Sequence, residues 1–157
     1  MLLELLSHQN FADMRYGLDP RFRFTVSRAI YKGMLQFLCS QYRTNYIVQP
    51  LPVDHMALRM ISENEIELTW QAVADPLEPT ANAEKYIVYT RTGNGDFDNG
   101  VVVDKNSYRT TLPAGVVCSY KVTALNKGGE SFPSEILSAG PVSYTHLRAH
   151  ETSAHLV

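Results

Sequence analysis

The chain has 157 residues, 45% of them hydrophobic and 19% charged, with a formal charge of −2. That is apolar material for one domain or one and a half, and the slightly acidic balance argues against nucleic acid as a main partner. No apolar run reaches membrane-spanning length, Met1-Leu2-Leu3 meets Glu4 at once instead of opening a signal peptide, and two cysteines are too few for a disulfide framework.

The chain opens on Leu2-Leu3-Glu4-Leu5-Leu6, an apolar run interrupted only by Glu4. Alone, it fits a strand or a helix fragment equally. A fresh segment starts at Asn10. Asp19-Pro20 is a helix start, with Asp19 as N-cap and Pro20 at the first helical position. Phe22, Val26, Ile30, Met34, Phe37 and Leu38 then recur every three to four residues, which predicts a helix to about Tyr42. Ala29 and Gly33 share that stripe. The other side carries Arg21, Arg23, Arg28, Lys32 and Gln36 and reads as a solvated face. Residues 44–50 read as a linker, stiffened by Pro50 and, just beyond it, Pro52.

From residue 51 the period changes from helical to two. Met56 to Met60 reads as a first strand, and Ile66, Leu68 and Trp70 alternate with Glu65, Glu67, Thr69 and Gln71 in a second. Residues 75–84 read as a loop. Tyr86 and Val88 point inward on a third strand that Thr92-Gly93-Asn94-Gly95 closes. The alternating carboxylates of residues 95–100 lack the distal glutamate of a calcium loop, so a hairpin loop is the better reading. Val101 to Val103 and Tyr108 to Leu112 supply two more strands. Cys118, Tyr120, Val122 and Ala124 then share one face of a strand, with Ser119, Lys121 and Thr123 expected in water. Asn126-Lys127-Gly128-Gly129 makes a turn, and Ser134 to Ala139 returns as the last strand.

The pattern Tyr120-x-Val122-x-Ala124-x-Asn126, Gly129-Glu130-Ser131 and Pro133-Ser134 resembles the end of a fibronectin type III domain, and the resemblance extends back to about Leu51. It implies a mostly β fold, an immunoglobulin-like β-sandwich over residues 51–141, with Trp70 in its core. Such domains place a corner tyrosine where this chain has Cys118. A thiol is a poor substitute donor, so a somewhat weakened domain is expected.

Residues 1–43 resemble the closing end of the zinc-dependent N-acetylmuramoyl-L-alanine amidases. Leu2-Leu3-Glu4 matches a strand ending in the catalytic glutamate, Asn10 the asparagine six residues on, and Leu18-Asp19-Pro20 with Ala29-Ile30 and Gly33 the last helix. Leu6 and Gln9 depart from the glycine and serine usual there. The resemblance implies a truncated α/β strand–helix piece in which Glu4 takes a proton from zinc-bound water and delivers it to the leaving amine. Desolvation among Leu2, Leu3, Leu5 and Leu6 would suit Glu4 to that work. The family's metal ligands, two histidines and a glutamate, precede this strand, so zinc is expected only in a longer parent and no metal ligand in this chain. His8 is not that ligand and reads as a loop residue.

The expectation is therefore a fragment of a secreted or cell-envelope bacterial protein. Its partner would be peptidoglycan or another cell-surface glycan, and the isolated chain would be inactive. Some proteins of this layout carry the label xanthan lyase, but no polysaccharide-lyase constellation is present. The alternative is a non-catalytic spacer or binding module with a degenerate amidase-like end. Residues 142–157 hold three of the five histidines; His150 and His155 are five apart instead of the four a zinc-protease helix needs, and His146 and His150, four apart, have no apolar face to build on. Residues 142–157 resemble the conceptual translation of a transposon-based sequencing adapter, and read as a tail without function.

Overall fold

Two capped helices lead into two antiparallel sheets in the computed structural model, which describes residues 4–140. The strand expected to end at Glu4 falls on residues 1–3, outside the described residues, and residues 4–6 have no regular structure. Asn10 caps helix α1 (Phe11–Leu18), its Oδ1 accepting from the Ala12 N–H at 2.9 Å. Asp19 ends that helix through its own N–H to the Tyr16 carbonyl and caps α2 (Pro20–Tyr42), with Oδ1 accepting from the Arg21 N–H. The second helix falls where its cap and spacing predict. The first was unread: at eight residues it is too short for periodicity to stand out.

Sheet one runs β1 (Asp54–Ser62), β2 (Glu65–Gln71), β5 (Ser107–Thr111). Sheet two runs β4 (Val101–Val103), β3 (Lys85–Thr92), β6 (Cys118–Asn126), β7 (Gly129–Glu130), with β8 (Leu137–Ala139) also pairing β6. The final return is thus broken, for Pro133 can donate nothing to a ladder. Ser131 and Ser134 bridge the gap: their hydroxyls accept from the Ala124 and Val122 N–H groups, and their own N–H groups reach the carbonyls of the same residues.

The inward residues of both sheets form one core. Ile66, Leu68 and Trp70 from β2 meet Tyr86 and Val88 from β3 and Cys118, Tyr120, Val122 and Ala124 from β6. The Trp70 and Tyr86 rings meet edge-to-face with centroids 5.4 Å apart. Cys118 is buried there as a small apolar group.

The outer face of β6 corrects the sequence reading. Ser119 and Thr123 are buried, not wet. Thr123 donates to Glu130 at 2.7 Å, Ser119 lies 2.9 Å from the Ser138 hydroxyl, and Lys121 sits 4.3 Å above the Phe97 ring. Asp98, in the loop once weighed for calcium, accepts from the Thr90 and Gly100 N–H groups and so ties that loop to β3.

Residues 44–50, read as a linker, are packed at their end. Val48 and Pro50 are fully buried. The Asn126 side chain shares its two N–H donors among the carbonyls of Val48, Thr80 and Asn82, while its Oδ1 accepts from the Gly128 N–H at 2.8 Å. Gly128 must be glycine, because a Cβ there would lie 2.5 Å from the Ile47 carbonyl oxygen.

This network yields a prediction. Asn126→Asp replaces both donors with a carboxylate facing three carbonyls, and should cost about 2–4 kcal/mol in chemical denaturation followed by Trp70 fluorescence. A loss under about 0.5 kcal/mol would show that the three loops hold together without it.

Candidate functional site at the helix–sheet junction

The helix α2 meets the sheets through the side that the sequence presented as solvated. Arg28 and Lys32, four residues apart, project on one face. Both reach Asp75 Oδ2: Arg28 Nε at 3.0 Å and Lys32 Nζ at 2.7 Å. The three side chains are only 10%, 19% and 9% exposed. Arg28 Nη2 also donates to the Gln49 carbonyl at 3.1 Å. Two apolar groups join the contact, the Phe24 and Phe132 rings packing edge-to-face at 6.3 Å.

Local backbone geometry presents Asp75. Its Oδ1 accepts from the Leu77 N–H and its carbonyl from the Glu78 N–H, which turns the chain into the short 3-10 helix Pro79–Ala81. Burial pushes the Asp75 carboxyl up, but the hydrogen bonds from Lys32, Arg28 and Leu77 outweigh it and hold it below the usual carboxylate range. Glu78 is buried beside it. Its Oε2 accepts from the Tyr46 hydroxyl and its Oε1 from the Thr80 hydroxyl, both at 2.8 Å, and Thr80 Oγ1 in turn accepts from the Val48 N–H. Burial and the neighbouring Glu78 push Tyr46 up to about 12.

Two clefts flank the Arg28 row. One, of about 530 Å³, is lined by Phe24, Tyr31, Pro50, Pro52 and Phe132 with Arg23 and Arg28. The other, of about 600 Å³, holds Lys32, Tyr46, Asp75 and Glu78 beside Ala29 and Leu77. Both carboxylates are engaged by fixed donors, so the arrangement locks elements together and offers walls for a ligand. It sets up no nucleophile with a base. Among the described residues, no cluster of three or more His, Cys, Asp or Glu could hold a metal ion, so these residues do not fit a zinc site.

Glu4, the sequence's catalytic candidate, is exposed and lines neither cleft, and Leu2 and Leu3, expected to shield it, lie outside the described residues. Asn10 and Asp19, matched to the same pattern, serve as helix caps. His8 is exposed in a turn, and the histidines of residues 142–157 lie outside the described residues. Asp75, Glu78 and Tyr46 went unread, since only the Arg28–Lys32 spacing signalled a shared face.

The order and pairing of the strands define a fibronectin type III-like fold behind a helical pair. At the level of fold the chain is similar to the fourth FNIII domain of a human protein, with 20% identity over 62% of this chain and 82% of that one and a TM-score of 0.51. It is also similar to the twitchin kinase region from C. elegans, with 21% identity, 57% of this chain, 16% of that one and a TM-score of 0.51. The third is the rat CD45 extracellular region, domains d3–d4, with 19% identity, 60% and 51% coverage and a TM-score of 0.50. The chain thus spans a small part of the twitchin region and about half of the CD45 pair. No family model matches the sequence, and no curated protein matches it. No helix among the described residues is long and apolar enough to cross a membrane.

Because the Asp75 carboxyl is held low, its contribution to helix docking is present above the usual carboxylate range and is lost as pH falls through the lowered value. Acid titration followed by NMR should therefore shift the α2 amides together with the Arg28 Nε–H, and Asp75→Asn should abolish that transition. At neutral pH, Asp75→Ala strands two cations and should cost about 2–4 kcal/mol of stability. An unchanged titration in Asp75→Asn would assign the transition to another group.

Proposed function

We propose that this chain is a non-catalytic spacer and binding module whose sheets hold the helical segment before them at a fixed angle. The observation that carries this reading is the largely buried Arg28–Asp75–Lys32 cluster, reinforced by the Arg28 bond to the Gln49 carbonyl. A flexible joint would leave those groups in water. Here they are desolvated and matched, which favours one docking geometry over its neighbours. The fold fits the role, since sandwiches of this kind serve as structural modules in many settings.

The test is a pulsed-EPR distance between labels at Gln41 and Lys105, both exposed, on a Cys39→Ser background. A narrow distribution is expected, and Asp75→Ala should broaden it. A broad distribution in the parent chain would overturn the reading.

A second reading rests on the pattern Leu2-Leu3-Glu4, Asn10 and Asp19-Pro20. It places the chain in a longer, secreted or envelope-bound N-acetylmuramoyl-L-alanine amidase acting on peptidoglycan, with zinc held by residues of that longer protein. Glu4 would move the proton there. In that protein Glu4→Gln should lower turnover by roughly two to four orders of magnitude without loss of metal. Unchanged turnover would leave Glu4 a bystander and remove this reading.

A further inference from the structure

The two clefts at the junction differ in what their walls have to spare. In the cleft of about 600 Å³, Lys32, Asp75, Tyr46 and Glu78 are spent on one another or on near neighbours. The cleft of about 530 Å³ is lined otherwise. Its helical wall presents Arg23, Ser27 and Tyr31, each four residues on from the last and so in one row along α2. Among the described residues, the α2 side chains that find polar partners are Thr25, Arg28, Lys32, Cys39 and Ser40. The Arg23 guanidinium and the Ser27 and Tyr31 hydroxyls therefore keep their donors. Beside that row the wall is apolar, with the Phe24 and Phe132 rings, Pro50 and Pro52.

We propose that this cleft binds a small organic monoanion with a flat apolar body, the class of an aromatic carboxylate. Three properties select that class. The volume falls within the roughly 300–1,000 Å³ of small-molecule sites. The rings and prolines suit an apolar body, since aromatic rings take one another in offset or edge-to-face contact. The third property is charge. No carboxylate lines this cleft. Next door Asp75 and Glu78 offset Arg28 and Lys32, so a single cation, Arg23, is left over at the wall. One carboxylate answers it, accepting from the guanidinium and from a hydroxyl of the same row in charge-assisted hydrogen bonds. A neutral ligand leaves Arg23 unanswered, and a dianion brings one charge too many.

The inference goes beyond the spacer reading in naming a ligand class, and it rests on the docked geometry of that reading, because α2 and the chain at Pro50 and Pro52 wall the cleft together.

Indole-3-acetate and its neutral isostere indole-3-acetamide, titrated into the isotope-labelled full chain and followed by NMR, test it. Amide shifts at Ser27, Tyr31 and Gln49 should saturate with a Kd of about 0.05–1 mM for indole-3-acetate, the range open to a ligand of that size. The acetamide should bind at least about fivefold more weakly. Plain acetate, the carboxylate without the ring, should give no saturable shift up to about 5 mM. Arg23→Gln should weaken indole-3-acetate at least about fivefold and leave the acetamide as it was. Arg23 is exposed, so Trp70 fluorescence should not change in that variant. Arg21→Gln removes the same charge from α2 outside the cleft and should leave both ligands unaffected. The proposal is overturned by an absence of saturable shifts up to about 5 mM, by shifts confined to other residues, by equal binding of the acetamide or of plain acetate, or by an equal loss in Arg21→Gln. The Gln41–Lys105 distance separates it from the spacer reading: a narrow distribution without binding overturns this inference alone, and a broad one without binding overturns both.

Discussion

The side-chain amide of Asn126 is the contact on which the joint between helices and sheets depends. It stands at the end of β6, the strand that pairs with β3, β7 and β8, and so is fixed by the most heavily bonded strand of the molecule. Its donors set the carbonyl of Val48, and Val48 in turn sets its neighbours. Two residues earlier, Tyr46 reaches Glu78; one residue later, the Gln49 carbonyl takes the Arg28 guanidinium. A shift of Val48 by an ångström would break both. The turn that follows Asn126 is part of the same constraint, because its Oδ1 holds Gly128 where the passing chain leaves no room for a side chain.

Environment, more than geometry, decides what the charges contribute. Among the described residues, one carboxylate with two cations occurs twice. Glu67 lies between Arg109 and Arg59 on sheet one at 2.9 and 2.7 Å, and Asp75 lies between Arg28 and Lys32. The arginines of the first set are 62% and 74% exposed, so water screens the pair and little stability follows. In the second, burial makes misalignment costly. A buried pair seldom adds much net stability over apolar packing. What it adds at the junction is discrimination between one docking angle and the others, with the Phe24–Phe132 contact supplying non-directional attraction.

Periodicity made the sheet core legible. Ile66, Leu68 and Trp70, then Tyr120, Val122 and Ala124, are buried as their alternation requires, and Asp19-Pro20 starts a helix that runs to Tyr42. Alternation says which side faces the core. It does not say whether the other side is roofed by the sheet's own long side chains. That is why Ser119 and Thr123 were misplaced: Arg91, Phe97 and Glu130 come from three other segments and join Lys121 of the same strand. The junction was hidden for the same reason. Arg28 and Lys32 show a shared face in sequence, yet their partner lies 47 residues beyond Arg28 in a loop with no periodicity. Glu4 was drawn from a pattern of residue types, and pattern alone supplies no walls.

Those walls matter because a carboxylate becomes a useful base only where its surroundings favour proton uptake and place a substrate beside it. Asp75 and Glu78 have the surroundings but are committed to fixed donors. Glu4 is exposed. Elsewhere the polar groups of sheet two are largely satisfied by one another across its outer face, and the junction is occupied by its own charges. Trp70 Nε1 and Arg91 Nε are buried without a hydrogen-bond partner among the described residues, and much of the exposed apolar surface lies on the helices, where it acts by being covered. A module so arranged works through what it holds and what it packs against.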